Sequence, residues 1–217
     1  MTFVGKILHG ITGIMQIPVV VILILFIGAV LVSTGWIISE YFNERRHMKV
    51  CLPKLLDEIR KTDDMKKTID NSGLLKSQKK ALGEITEHPE LTPVMKEALA
   101  AQLLEVEHEI YERKLKITDM LAKLGPMIGL LGTLIPLGPG IIALGQGDTL
   151  TLSQSLLTAF DTTIAGLIVA AAALIISGIR RGWYNGYMSV LETAMECVVE
   201  MEKMAYDKEE QKKREQI

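Results

Sequence analysis

The sequence predicts an all-α integral membrane protein: three transmembrane helices with long cytoplasmic helical extensions, N-terminus out and C-terminus in. Three observations predict it. From Ile17 to Ile38 and from Leu124 to Gln146 no side chain is charged, and from Leu152 to Ile179 the one charge is Asp161. Each run is long enough to cross a hydrocarbon core of about 30 Å at about 1.5 Å per helical residue, whereas a soluble helix of that length carries charge on one face. Small residues recur at intervals of three and four in the second and third runs, the usual device for close helix approach in lipid. Lysine and arginine gather on one side of every span. Arg45, Arg46 and Lys49 follow the first, Lys114, Lys116 and Lys123 precede the second, and Arg180 and Arg181 close the third. The stretch from Gly145 to Thr151 has none and only Lys6 precedes the first span, so the positive-inside rule sets the orientation.

Residues 1–16 read as an outer interfacial amphipathic helix, since Phe3, Ile7, Ile11 and Ile14 recur at helical spacing. Residues 17–39 form the first span. The run is too long for a signal-peptide core and ends in Trp36, Ile37 and Ile38 rather than in a small-residue cleavage site.

Residues 40–123 read as a cytoplasmic helical region. Thr92 and Pro93 have the form of an N-cap followed by proline at the first helical position. Beyond them Leu103, Val106, Ile110, Ile117 and Leu121 mark one face, and Glu109 with Arg113 and Glu112 with Lys116 form i,i+4 pairs in the favourable order. No glycine or proline intervenes before Gly125, so this helix runs straight into the second span, residues 124–146. The third span, 152–179, continues into a C-terminal helix and charged tail, 180–217. There Trp183, Tyr187, Val190, Ala194, Val198, Met201 and Ala205 form a seam spaced by threes and fours, and the charged run from Lys208 to Ile217 is expected to fray. Both seams suit packing within the chain or between chains.

The second span carries Gly125, Gly129, Gly132, Pro136, Gly140 and Ala143 as one stripe, and the third carries Ala159, Thr163, Gly166, Ala170, Ala173 and Ser177. The first span has only Gly28, Ala29 and Gly35 among bulky side chains. Spans two and three are therefore expected to face helices, span one lipid, and stripes of this length to serve packing in an oligomer. Thr133 lies about nine residues past Leu124, roughly 13 Å from the inner boundary, and Thr163 about eleven past Leu152, roughly 17 Å from the outer one. The two hydroxyls fall at nearly one depth. A single membrane threonine bonds back to its own helix by default; two at one depth beside small-residue stripes favour a shared polar constriction.

Here the residues carry a resemblance. Leu124 to Thr133, "LGPMIGLLGT", resembles the second-span signature of the MotA/TolQ/ExbB proton-channel family. Leu156 to Val169, "LLTAFDTTIAGLIV", with "WYN" at 183–185, is similar to its third-span motif, nearest to ExbB- and TolQ-like members. The resemblance implies a homopentamer in the cell membrane around two copies of a single-span ExbD/TolR/MotB-like partner. That partner brings an ion-carrying aspartate into the central pore, where proton or sodium flow drives rotation. Thr133 and Thr163 match the family's two pore threonines, and Gly129, Gly132 and Gly166 its close-packing glycines.

Two departures stand out. ExbB- and TolQ-like members place a glutamate where this chain has Thr158, and Pro136 and Pro139 remove backbone donors and should kink the outer half of span two. Asp161 is the candidate replacement acid, since a mid-span carboxylate by default marks an ion path or a paired charge. It lies three residues past Thr158 beside Thr162 and Ala165; Leu157, Ile164 and Ile168 on its other flank allow instead a carboxyl packed against span one. The expected ion pathway is Thr133, Thr163, Asp161, Thr158 and Thr162, and the packing set Gly125, Gly129, Gly132, Ala159, Gly166 and Ala170.

Other classes have little support. No Walker A lysine, HExxH or GxSxG indicates an enzyme, and no cofactor is implied. His9, His47, His88 and His108 lack ligand spacing, so no metal is expected, and Cys51 and Cys197 read as reduced structural thiols. A net charge of −2 without a basic, aromatic patch gives no sign of nucleic-acid binding. A solute-transporter subunit would show inverted repeats, which are not apparent. A structural membrane scaffold would use the stripes for assembly alone and give Thr133, Thr163 and Asp161 no role.

Overall fold

The computed structural model describes residues 3–42, 52–61, 65–88 and 91–215, with no strand among them. Six helices follow in order: α1 Phe3–Glu40, α2 Leu52–Lys61, α3 Met65–Asn71, α4 Lys76–Thr86, α5 Pro93–Gly145 and α6 Thr149–Glu215. Three of them are long and apolar enough to cross a membrane: α1 over Ile14–Glu40, α5 and α6, with best-window mean hydropathies of 2.9, 2.0 and 2.2. The chain is a multi-pass membrane protein. Cys51, His47 and the basic residues Arg45, Arg46 and Lys49 lie outside the described residues.

The continuity expected of the two long helices is present. α5 begins at Pro93 and passes Pro126, Pro136 and Pro139 without ending. It stops at a tight turn whose chemistry is readable. The Asp148 N–H donates to the Ala143 carbonyl (2.9 Å) and the Gly147 N–H to the Leu144 carbonyl (3.0 Å), with Gly147 at φ 79°. This is the two-bond helix ending that needs a left-handed residue, here a glycine. Asp148 then caps α6, its carboxylate accepting from the Thr151 N–H (3.0 Å) and from the Thr151 hydroxyl. These hydrogen bonds hold the Asp148 carboxyl below the usual carboxylate range.

Two compact units make up the chain. The first, Met1–Ile37 with Lys114–Arg180, holds the apolar helical stretches. Within it α1 is the least buried, 17% of its most apolar window against 39% for α6, in line with a lipid-facing first span. Val19, Leu23, Val30, Ser33 and Ile37 are its buried residues, while Ile24, Leu25, Leu31 and Val32 are exposed. The N-terminal segment is not a separate helix: α1 runs unbroken from Phe3 through Pro18. Ile14 and Ile17 on the turn before Pro18 are exposed.

The second unit, Ile38–Arg113 with Arg181–Ile217, is polar outside and has its own core. Leu55, Ile59, Ile69, Leu82 and Ile85 pack against Leu191, Ala194, Met195 and Val198 of α6. The C-terminal seam therefore packs within the chain at Tyr187, Ala194 and Val198, while Ala205 is exposed. Gln78, fully buried, accepts from the Leu75 N–H (3.1 Å) and donates to the Tyr187 carbonyl (2.8 Å), satisfying both ends of its amide. Lys96, also buried, is neutralised by Glu202 at 2.7 Å.

Of the face marked on α5, Leu103 packs against the core and Leu121 is buried, whereas Val106, Ile110 and Ile117 are exposed in the single chain, as packing between chains would leave them. Tyr111 is buried on α5 as well: it stacks on Tyr184 with ring centroids 4.6 Å apart, and the Tyr184 hydroxyl donates to Glu40 at 2.7 Å. The charged tail is helical to Glu215. Arg214 pairs with Glu210 (3.2 Å), and Lys212, Lys213 and Arg214 complement the negative helix end. Glu109 and Arg113 form the expected pair at 2.7 Å.

Candidate functional site: the glycine-lined crossing of two membrane helices

Small residues dictate how α5 and α6 meet inside the first unit. A Cβ built on Gly166 would lie 2.6 Å from the Gly125 carbonyl oxygen and 2.9 Å from the Gly129 Cα. One built on Gly125 would lie 2.8 Å from the Gly166 carbonyl, and one on Gly132 would lie 2.6 Å from the Thr162 Cβ. Backbone meets backbone at Gly125 and Gly166 and meets the Thr162 side chain at Gly132, so there is no room for a further side chain at these positions. Gly125, Gly129, Gly132, Pro136, Gly140 and Ala143 are all buried, the stripe the sequence marks. Ala159, Gly166, Ala170, Ala173 and Ser177 are buried on α6.

This overturns one inference. The stripes find each other within one chain, so their length is no argument for an oligomer; an antiparallel pair of long helices consumes it. It also moves one residue. Thr162, at 6% exposure, sits in the packed face against Gly132, and Thr163 is only partly buried beside it. Near Gly132 the crossing centres on Thr162, one position from the spacing read in the sequence.

The crossing fixes the register of the threonines. Gly129 faces the Thr162 carbonyl and the Thr163 Cα, and Gly132 faces Thr162, which in an antiparallel pair sets Thr133 and Thr163 about two residues, roughly 3 Å, apart along the axis. Each of three threonine hydroxyls is satisfied by its own helix. Thr133 donates to the Leu130 carbonyl (2.7 Å), Thr158 to Gln154 (3.0 Å), and Thr162 to both Thr158 (3.1 Å) and Ala159 (2.9 Å). Donating the proton leaves the hydroxyl oxygen's lone pairs able to meet a cation.

Asp161 is exposed, roughly 140° around α6 from Gly166 at about 100° per residue. Thr158 and Ala165 lie near it on the same side, with the exposed Leu157, Ile164 and Ile168 on the other.

Sequence reasoning missed a polar cluster at the Arg180 end of the pair. The Ser177 hydroxyl donates to Asp119, and Arg180 and Thr118 are buried beside these positions in the chain, at 4% and 1% exposure. Ser177 reads in sequence as one more small stripe residue, and Asp119 lies just ahead of the charge-free run. Only the pairing of the helices joins them. No group of three or more His, Cys, Asp or Glu side chains able to hold a metal occurs among the described residues.

The sequence model of the MotA/TolQ/ExbB proton channel family matches residues 65–193, more than half of the chain. The chain belongs to this family. The match takes in the glycine crossing, both threonine-bearing stretches and the helices α3 and α4, well beyond the motifs that carry the resemblance. No curated protein matches the chain. A MotA/TolQ/ExbB member is a channel subunit of an energy-transducing membrane complex, and the apolar helices of this one fit that setting.

Proposed function

We propose that this chain is the pore-forming subunit of a proton- or sodium-driven motor in the cell membrane. Its N-terminus and the α5–α6 turn lie outside and the polar unit lies in the cytoplasm. Five copies surround two copies of a single-span ExbD/TolR/MotB-like partner, and ion flow past them is coupled to mechanical work. The observation that carries the reading is the nearness in level of Thr133 and Thr163, about one helical turn or less, beside a close glycine crossing. Family membership supports the same reading.

In this reading the crossing keeps α5 and α6 rigid, and the hydroxyl oxygens of Thr133 and Thr163 replace water around the passing ion. Thr158 continues the polar surface. Thr162 serves packing rather than passage. Asp161 supplies the carboxylate that Thr158 lacks, and its exposure in the single chain leaves it open to a group from another subunit.

The test is reconstitution. The chain is co-expressed with a candidate single-span partner carrying a membrane aspartate, purified as a complex, and placed in proteoliposomes carrying a pH-sensitive dye. Ion flux that requires both proteins is expected. A complex that assembles but passes neither protons nor sodium under an imposed potential leaves only the structural-scaffold role.

A further inference from the structure

We propose that a groove on the polar unit, between α5 and α6, docks a basic amphipathic helix of another protein. The groove has a volume of about 380 Å³. Its floor is apolar, made by Ala100 and Leu104 of α5 and by Met195 and Val199 of α6. Its rim is acidic: Glu97 on one side, Glu192, Glu196 and Glu200 on the other, with Lys203 the cation that lines it.

The rim determines the chemistry of the occupant. Glu192, Glu196 and Glu200 repeat every four residues along one exposed line of α6. Like charges at that spacing repel and weaken a helix. Their internal relief is slight: Arg60 approaches Glu200, and Lys203 approaches Glu97, each only to 3.9 Å and with all four side chains more than half exposed. Such pairs contribute little. Glu192 and Glu196 therefore offer a paired negative edge above an apolar trough. A helix with leucine-sized residues at i, i+3, i+4 and i+7 fills the trough, and lysine or arginine on its flanks meets the edge. The rim span from Glu192 to Lys203 matches about three turns of such a helix. An acidic or uncharged helix would bring no compensation for the carboxylates. The inference rests on the polar unit alone, so its failure would leave the ion-channel reading untouched.

The experiment uses the full chain in nanodiscs of zwitterionic lipid. The probes are two labelled 16-residue helical peptides with the same leucines, one with lysine and one with glutamate at the flanking positions. Fluorescence anisotropy is expected to show the lysine peptide bound at least about tenfold tighter than the glutamate peptide, with the preference shrinking in high salt. The double variant E192K/E196K should lose about tenfold in affinity for the lysine peptide. Both positions are exposed, so circular dichroism should be unchanged; if it is not, E192Q/E196Q replaces it and should lose about threefold. Ala101→Trp, which places a bulky ring over the groove from an exposed lining position without changing charge, should also abolish binding. Equal binding of both peptides, equal binding to empty nanodiscs, or unchanged affinity in the variants would overturn the proposal. So would a change of oligomeric mass on charge reversal with no peptide bound, which would make the groove a contact between copies of this chain.

Discussion

Gly166 and Gly125 meet backbone to backbone: a Cβ on either would come within 2.6–2.8 Å of the other's carbonyl oxygen. Gly166→Ala is therefore expected to destabilise the α5–α6 pair by about 1–3 kcal/mol, the ordinary cost of forcing a methyl into a filled space. Gly138→Ala is the control, because nothing lies within 4 Å of a Cβ there. Thermal unfolding in detergent should separate the two. Equal melting temperatures would mean that the crossing is looser than described.

Thr133→Val and Thr163→Val keep shape and remove the oxygen. Each should cut ion flux about tenfold or more, the scale of one lost hydrogen bond to a charged group, with the complex still assembled by native mass spectrometry. Thr162→Val should behave differently, lowering stability through the lost hydrogen bond its hydroxyl shares between the Thr158 and Ala159 carbonyls while sparing flux. Full flux in both of the first two variants would remove the threonines from the pathway.

Asp161→Asn keeps size and hydrogen bonding but carries neither proton nor charge. Flux should stop while assembly persists, because an exposed mid-span carboxylate has no packing role within the chain to lose. Normal flux in the asparagine variant would return Asp161 to a purely structural place.

Orientation is checked by labelling intact cells with a membrane-impermeant thiol reagent. Cys197 is a poor reporter, since at 7% exposure it would escape from either side. A cysteine at the exposed Gln146 should label and one at the exposed Lys208 should not. Gln146 is preferable to Asp148, which caps α6. Labelling at position 208 in sealed cells would reverse the topology.

The Asp148 cap has a pH signature. Its carboxyl is held low in the folded chain by the Thr151 hydroxyl and N–H. The folded state therefore binds fewer protons than the unfolded one near and below the free carboxyl value of about 3.9. Stability from this group is present above that pH and is lost as pH falls through the lower folded value. Asp148→Asn should flatten part of the drop in melting temperature below about pH 4. An unchanged acid profile would show that the cap contributes nothing.

Much of this was legible because lipid imposes strong constraints on sequence. The charge-free runs mark three helices, and the small-residue stripe of α5 is the stripe that is buried, residue for residue from Gly125 to Ala143. Counting at a fixed helical rise put Thr133 and Thr163 at one depth; the glycine register sets them about two residues apart. The polar unit was harder to read. The apolar line on α5 is buried in the chain at Leu103 and Leu121 but exposed at Val106 and Ile110, and the buried aromatic Tyr111, stacked on Tyr184, lies off that line.

The sequence by itself determined the number of spanning helices, their continuity beyond the apolar runs, and the residues small enough to let them touch. These depend on local composition and on a regular helical rise. Which surfaces touch was decided only by the tertiary structure. It buried the side chain of Thr162 more deeply than that of Thr163, left Asp161 exposed, and joined Ser177 to Asp119 across a separation of 58 positions. A rotation of one residue along a helix, about 100°, decides such contacts. That angle is set by packing against a distant partner, which no local pattern records.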